Sequence, residues 1–366
     1  MSRSVAIIGT RGYPSYYGGF ETLIRSLAPF LADAGWNVTV FSRAADATRA
    51  GTPDPRITVV ETPGMDTKSS STLSHGYLAA RHTVRAKPDV ALIFNVANGF
   101  FLPMLRRADI PTLINVDGIE WEREKWGPIA RKAFLGGARM TARYGDKLIF
   151  DSREIAAVWG REFRRDGDFI PYGATDPGPL DPVPELLGKK YVLLVARLVP
   201  ENSIREFLAA AELLMPKYDV AVVGSSGTRS NLDDRMAQFA HEHEKFHWFG
   251  HLSNDLKLNS IWQHAGAYFH GHSAGGTNPA LVQAMVCGAP VVARDTVFNR
   301  EVLGPAGLFT PPVPERIAET LTSVLENPEL GRQLSSAART RGRELYTWDN
   351  VCAEYEESLS SLLRDR

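Results

Sequence analysis

The sequence predicts an α/β protein built of two doubly wound domains. Three observations carry that expectation. Short apolar runs that stop at glycine or a polar residue alternate with amphipathic helical stretches through both halves of the chain. A stretch with four prolines and no periodicity, residues 174–184, parts the halves. Glycine-bearing loops lead into helices in each half, at Gly18-Gly19 and at Gly275-Gly276. The expected division is therefore an N-terminal Rossmann-like domain over 1–173, a linker over 174–188, a C-terminal Rossmann-like domain over 189–345, and a terminal helix over 346–366.

Taken in order, residues 5–9 form an apolar run closed by glycine, the pattern of a parallel strand buried on both faces. A glycine loop, an amphipathic helix to about residue 34 and a second strand at 37–42 complete a βαβ unit. Further strands are expected at 57–61, 90–94, 112–116 and 147–151, with a helix at 73–85. Ligands of open α/β sheets lie beyond the carboxyl ends of strands, which places Asp117, Gly118 and Glu120 for chemistry. The second half repeats the pattern with strands at 191–196, 219–224, 246–249 and 267–270.

The stretch 273–290 is the expected ligand site. Gly275 and Gly276 allow close backbone approach, Asn278 is a good N-cap, and Pro279 suits the first helical position. The helix so started carries the positive end of its dipole towards a phosphate, and Gly288 closes it.

Composition excludes several classes. A length of 366 residues allows about two domains with a core each. Lys plus Arg total 41 against 42 for Asp plus Glu, so no global field favours nucleic acid. The two cysteines, Cys287 and Cys352, lack metal-ligand spacing and point to no oxidising compartment. No run reaches the roughly 20 apolar residues of a membrane span, and the expected location is cytoplasmic, at most peripheral to the inner face of the plasma membrane. Between 125 and 143, Lys125, Arg131, Lys132, Arg139 and Arg143 are interleaved with apolar residues and no acid, which reads either as a lipid-facing helix or as a solvated face.

Five stretches carry a wider likeness: Gly9-Thr-Arg-Gly-Tyr-Pro-Ser-Tyr-Tyr-Gly-Gly-Phe-Glu-Thr22, Thr72-Leu-Ser-His75, Phe94-Asn-Val96 with Asn115-Val-Asp-Gly-Ile-Glu-Trp121, Arg197-Leu-Val-Pro-Glu-Asn202, and Gly275-Gly-Thr-Asn-Pro279. Together they resemble retaining glycosyltransferases of family 4, and within them the subgroup that carries rhamnosyltransferase names in bacterial surface-polysaccharide synthesis. The resemblance implies the GT-B architecture, two Rossmann-like domains facing across a cleft, with the terminal helix packed back on the first domain. It also implies transfer of a sugar from a nucleoside-diphosphate donor to a glycan or polyprenyl-diphosphate-linked acceptor, with no bound metal or other cofactor.

Residue by residue, Arg197 matches the family arginine on the leaving diphosphate, where negative charge builds. Asn202 stands where a lysine is common, and Gly275 and Gln283 stand where the family carries two glutamates. Gln283 can still hydrogen-bond a ribose, without charge. The resemblance puts Gly18, Gly19, Gly276, Thr277, Asn278 and Pro279 at the donor phosphates, and Ser225, Gly250 and Leu252 at the nucleobase. Asp117 replaces a common histidine and is the candidate catalytic carboxylate beside Arg197; an N-cap or turn aspartate is its alternative, and with Glu120 three residues on a capping box is equally open. Tyr16, Tyr17, Glu120 and Trp121 are candidate acceptor contacts, with Trp126 a further candidate for stacking on a sugar. The competing functions are a donor-binding pseudoenzyme or scaffold, suggested by the missing lysine and glutamates, and a same-fold sugar-nucleotide epimerase or glycogen-synthase-like polymerase.

Overall fold

A computed structural model describes residues 3–15, 18–43, 52–63, 71–123, 126–227 and 231–364. Tyr16, Tyr17 and Lys125 lie outside the described residues. The chain forms two compact units, one of residues 1–172 with 348–366 and one of residues 173–347.

The first unit holds seven parallel strands: β1 (Ser4–Ile8), β2 (Asn37–Arg43), β3 (Thr58–Thr62), β4 (Val90–Phe94), β5 (Thr112–Asn115), β6 (Lys147–Phe150) and β7 (Asp168–Phe169). Their order is β3-β2-β1-β4-β5-β6-β7, so the direction of progression reverses between β1 and β4, which pair with Ile8 beside Ile93. Every residue of β4 and β5 is buried, because helices cover both faces. These strands consequently read as continuous apolar runs and were visible as such in the sequence.

The terminal helix Trp348–Arg364 completes this unit. Its Glu356 pairs with Arg3 at 2.9 Å and accepts from the Trp36 indole at 3.1 Å. Tyr355, fully buried, accepts a 2.7 Å bond from the Asn115 side chain at the end of β5. Burial pushes the Tyr355 phenol well above its ordinary value, so it stays protonated.

The second unit holds six parallel strands: β8 (Tyr191–Val195), β9 (Asp219–Val223), β10 (Phe246–Trp248), β11 (Ala267–His270), β12 (Val291–Arg294) and β13 (Leu308–Thr310). Their order is β10-β9-β8-β11-β12-β13, with the reversal between β8 and β11. Helix Ile204–Leu214 presents Ile204, Phe207, Leu208 and Ala211 to the sheet at helical spacing. Phe207 stacks on Phe269 of β11, with ring centroids 5.5 Å apart.

Residues 174–188, expected as a linker, lie within the second unit. Val183 and Leu186 are buried, the amide of Leu180 donates to Gln263 at 3.0 Å, and Ala174 bridges to Thr347. The prolines remove periodicity, but the segment is held by side-chain partners on the helix Asp255–Gln263. Among the described residues no helix is long and apolar enough to cross a membrane.

Candidate functional site

Each unit brings polar residues to the carboxyl ends of its strands. Arg197 lies two residues past the end of β8, and its side chain is exposed with no hydrogen bond or ion pair among the described residues. The loop after β11 runs from Gly271 to Asn278 and ends in helix Pro279–Cys287. Asn278 caps that helix by accepting from the Ala280 amide at 2.9 Å, and Gly288 closes it in the left-handed conformation.

This capping changes which amides a ligand can reach. Pro279 brings no N–H, Ala280 donates to the Asn278 side chain, and the amides of Leu281 and Val282 both donate to the Asn278 carbonyl. The backbone N–H groups of Gly275, Gly276 and Asn278, by contrast, donate to nothing among the described residues. Gly275 has φ of 99°, a conformation that a side chain would strain. The anion donors are thus the loop amides with the helix dipole behind them.

Two other expected donor residues are engaged within the protein. The Gln283 amide clasps the main chain of Thr175, accepting from its N–H at 3.0 Å and donating to its carbonyl at 2.8 Å. Asn202 is buried; its Nδ2 donates to the carbonyl of Arg197 at 2.8 Å, and its Oδ1 faces Nδ1 of His272 at 2.6 Å. Both side chains thus have their amide groups engaged within the second unit. Ser225 and Gly250 act through backbone: the Ser225 carbonyl accepts from Leu198 at 3.2 Å, and that of Gly250 from Gly224 at 2.7 Å. Leu252 is half-buried on the loop after β10.

In the first unit Asp117 follows β5 with φ of 62°, in the left-handed region. Its amide donates to the Asn115 side chain at 2.9 Å, and its carboxylate accepts from Asn95 at 3.3 Å. Asn95, after β4, is itself left-handed at φ of 71°. The turn Glu120–Glu122 that follows has Ile119, not Asp117, as its N-cap and no side-chain cap bond, so no capping box starts at Asp117. Glu120 is buried and bound to Arg123 at 2.8 Å and to the Trp126 indole at 2.7 Å. Trp121 meets the rings of Trp159 and Phe163 edge-on at 6.2 and 5.7 Å. Internal partners therefore account for Glu120, Trp121 and Trp126, three of the expected acceptor contacts. Gly18 is the extended N-cap of helix Gly19–Asp33, its carbonyl accepting from Thr22.

Sequence reasoning missed Tyr172 and Glu21. Tyr172 is buried, and its phenol is raised well above its ordinary value first by burial and then by the negative charges of Asp117, Asp151 and Glu21. Glu21 accepts from the Arg11 amide at 2.9 Å. Tyr172 carries no local mark, because the charges around it come from separate strand ends, while Glu21 lies in the quoted stretch Gly9–Thr22 without a role assigned to it.

Two Rossmann-like domains, each built on a wholly parallel sheet, are the architecture of the GT-B class of fold. The chain matches two family models: residues 17–173 that of "Glycosyltransferase Family 4" and residues 181–341 that of "Glycosyl transferases group 1". The two matched stretches fall essentially one in each compact unit, so each unit resembles a glycosyltransferase domain. Among curated relatives, the Escherichia coli O-antigen chain mannosyltransferase B is 26% identical over 195 residues, 51% of this chain and 50% of that one. The MMP alpha-(1->4)-mannosyltransferase of Mycolicibacterium hassiacum is 32% identical over 87 residues, 22% of this chain and 21% of that one. The aligned stretches span half or less of those relatives. Among solved structures, sucrose-phosphate synthase from Thermosynechococcus elongatus superposes with TM-score 0.81 at 19% identity over the whole of both chains. Anabaena HepE in complex with UDP-glucose superposes with TM-score 0.75 at 14% identity, covering 98% of this chain and 99% of that one.

One buried group beside the loop gives a pH prediction. His270, at the end of β11, sits at Nδ1 2.9 Å from the Tyr268 hydroxyl, and its Nε2 has no partner among the described residues. Burial lowers its pKa from 6.5 to about 3, so the folded protein keeps it neutral where the unfolded chain protonates it. Stability is then lost as pH falls below the unfolded value, by about 1.4 kcal/mol per unit. Between pH 6.5 and pH 5 this histidine alone should cost about 2 kcal/mol. His270→Asn, which keeps an acceptor for Tyr268, should flatten that part of the melting-temperature profile; an unchanged slope contradicts the assignment.

Proposed function

We propose that the chain is a retaining, metal-independent hexosyltransferase that moves a sugar from a nucleoside diphosphate to a glycan or lipid-linked glycan in surface-polysaccharide synthesis. The observation that carries the reading is the guanidinium of Arg197, on the loop after β8, together with the amides of Gly275, Gly276 and Asn278 on the neighbouring loop, all without partners among the described residues. Breaking a bond from an anomeric carbon to a diphosphate builds negative charge on the leaving group. A planar guanidinium bonds two phosphate oxygens, and loop amides at a helix start bond others, without deprotonation at any ordinary pH.

Support for the donor class comes from HepE, whose structure holds UDP-glucose. Support for a glycan acceptor comes from the O-antigen chain mannosyltransferase relative. Rhamnose as the sugar rests on the subgroup resemblance. Asp117 is the candidate for contact with a sugar hydroxyl or with positive charge at the anomeric carbon. Its left-handed backbone, held by Asn95 and Asn115, supports a role beyond an ordinary turn.

The acceptor's lipid link has a matching surface. On helix Pro128–Tyr144, Ile129, Lys132, Gly136, Arg139 and Arg143 recur at spacings of three and four, opposite the buried Gly137, Ala138 and Thr141. Ile129 is 86% exposed, and Phe100, which lies over Gly136, is 39% exposed. An apolar tip among cations suits an anionic lipid surface at the inner face of the membrane.

Three outcomes test this reading. Arg197→Ala should weaken UDP or another nucleoside diphosphate by about 10- to 100-fold in calorimetry, the range for a lost charge-assisted pair. Asp117→Asn should lower turnover about 100-fold or more with little change in donor affinity, measured as nucleoside diphosphate release with acceptor present. Binding without turnover on any acceptor would instead favour a pseudoenzyme. Flotation with anionic vesicles should be lost when Lys132, Arg139 and Arg143 are neutralised, and unchanged flotation defeats the lipid contact.

A further inference from the structure

The loop carrying Arg197 and the loop carrying Gly275 are stitched along their length by groups that no donor need touch. The amide of Ser273 donates to the carbonyl of Glu201 at 2.9 Å. The buried Ser203 hydroxyl donates to the carbonyl of Gly271 at 2.8 Å and accepts from Arg294 at 3.0 Å. Gly271 comes so near that a Cβ there would sit 2.3 Å from the Asn202 carbonyl. The buried Asn299 side chain donates to the carbonyls of both His272, at 3.0 Å, and Arg294, at 2.8 Å.

At the centre of this seam is the pair of His272 and Asn202. Because Asn202 Nδ2 donates to the Arg197 carbonyl, its Oδ1 is what meets the imidazole, so Nδ1 of His272 carries the proton and donates. The path from imidazole to amide to the main chain of Arg197 is unbroken, with bonds of 2.6 and 2.8 Å.

We propose that His272 is the positioning residue of the anion grip: through Asn202 it fixes the backbone of Arg197 against the amides of Gly275 to Asn278, so that both sets of donors meet one diphosphate. The inference rests on the reading of Arg197 as the diphosphate anchor. His272 acts through Arg197 and is not itself a phosphate ligand. Its worth is preorganisation: a long, exposed arginine on a loose loop must lose backbone as well as side-chain freedom on binding, and the seam removes the first of these losses in advance.

The test uses the full chain and calorimetric binding of UDP, GDP and dTDP, following whichever the wild type binds most tightly. His272→Leu should weaken it by about tenfold, the scale of one lost buried hydrogen bond. In the Arg197→Ala background the same change should add less than about twofold, since the two act as one unit. His272→Gln, which keeps an N–H for Asn202, should recover most of the loss. Should His272→Leu fail to fold, Asn202→Ser reads the same coupling from the other side of the bond. A lowered melting temperature with unchanged affinity makes His272 structural only and overturns the inference. Additive losses with Arg197→Ala overturn it too, since His272 would then hold the ligand independently. No binding by the wild type, or unchanged binding by Arg197→Ala, overturns instead the donor reading on which it stands.

Discussion

Both sheets are wholly parallel and their central strands are buried on both faces, and that constraint governs where chemistry can occur. A parallel strand in such a sheet exchanges all its backbone bonds with its neighbours and carries apolar side chains on either face. Polar groups therefore collect where strands end, and a ligand finds room where two adjacent loops leave in opposite directions. In the second unit the loops after β8 and β11 meet this condition, and they hold Arg197 and Gly275 to Asn278. In the first unit the ends of β4 and β5 hold Asn95 and Asp117, two left-handed residues that are not glycine. Each such backbone costs about 1–3 kcal/mol, and here mutual side-chain bonds sustain it.

Within these loops the useful distinction is between polar groups already bonded in the protein and groups left for a ligand. Glu120 has Arg123 and Trp126; Gln283 has Thr175; Asn202 has Arg197 and His272. Replacing a bond of that kind by a bond to ligand gains only the difference between them, which is small for neutral amides. Arg197 and the amides of Gly275, Gly276 and Asn278 exchange only water for ligand, in a place where the helix dipole already favours negative charge.

What could be read from the sequence was what is local. The strands showed as apolar runs, and helix Pro279–Cys287 showed at both ends, because Asn278, Pro279 and Gly288 act on their own neighbours. The position of Arg197 at a strand end followed in the same way. The partners of Gln283, Asn202 and Asn115 did not show, since they lie 108, 70 and 240 residues away. Nor could composition separate an extended linker from residues 174–188 as they are: proline rules out regular structure, while the bonds that hold Gly178, Leu180 and Asp181 come from a helix about 80 residues along the chain. Trp121 shows the same limit for an aromatic, because a ring that could stack on sugar finds Trp159 and Phe163 first.

Asn202 occupies the place where the resemblance leads one to look for a second cation, and the exchange has a physical logic. A lysine four ångströms from a phosphate gains about 4 kcal/mol of attraction at the effective dielectric of a protein surface, before desolvation and the entropy of a flexible side chain are subtracted. An amide adds no charge, but a short, buried one holds two loops in register and so lowers the ordering cost of every donor on them. A guanidinium that can bond two oxygens at once depends on angle more than an ammonium does, and gains most from such bracing. One well-aimed fork with fixed amides beside it can then stabilise a leaving diphosphate, since preorganised donors act on charge as it develops and need no rearrangement when the bond breaks.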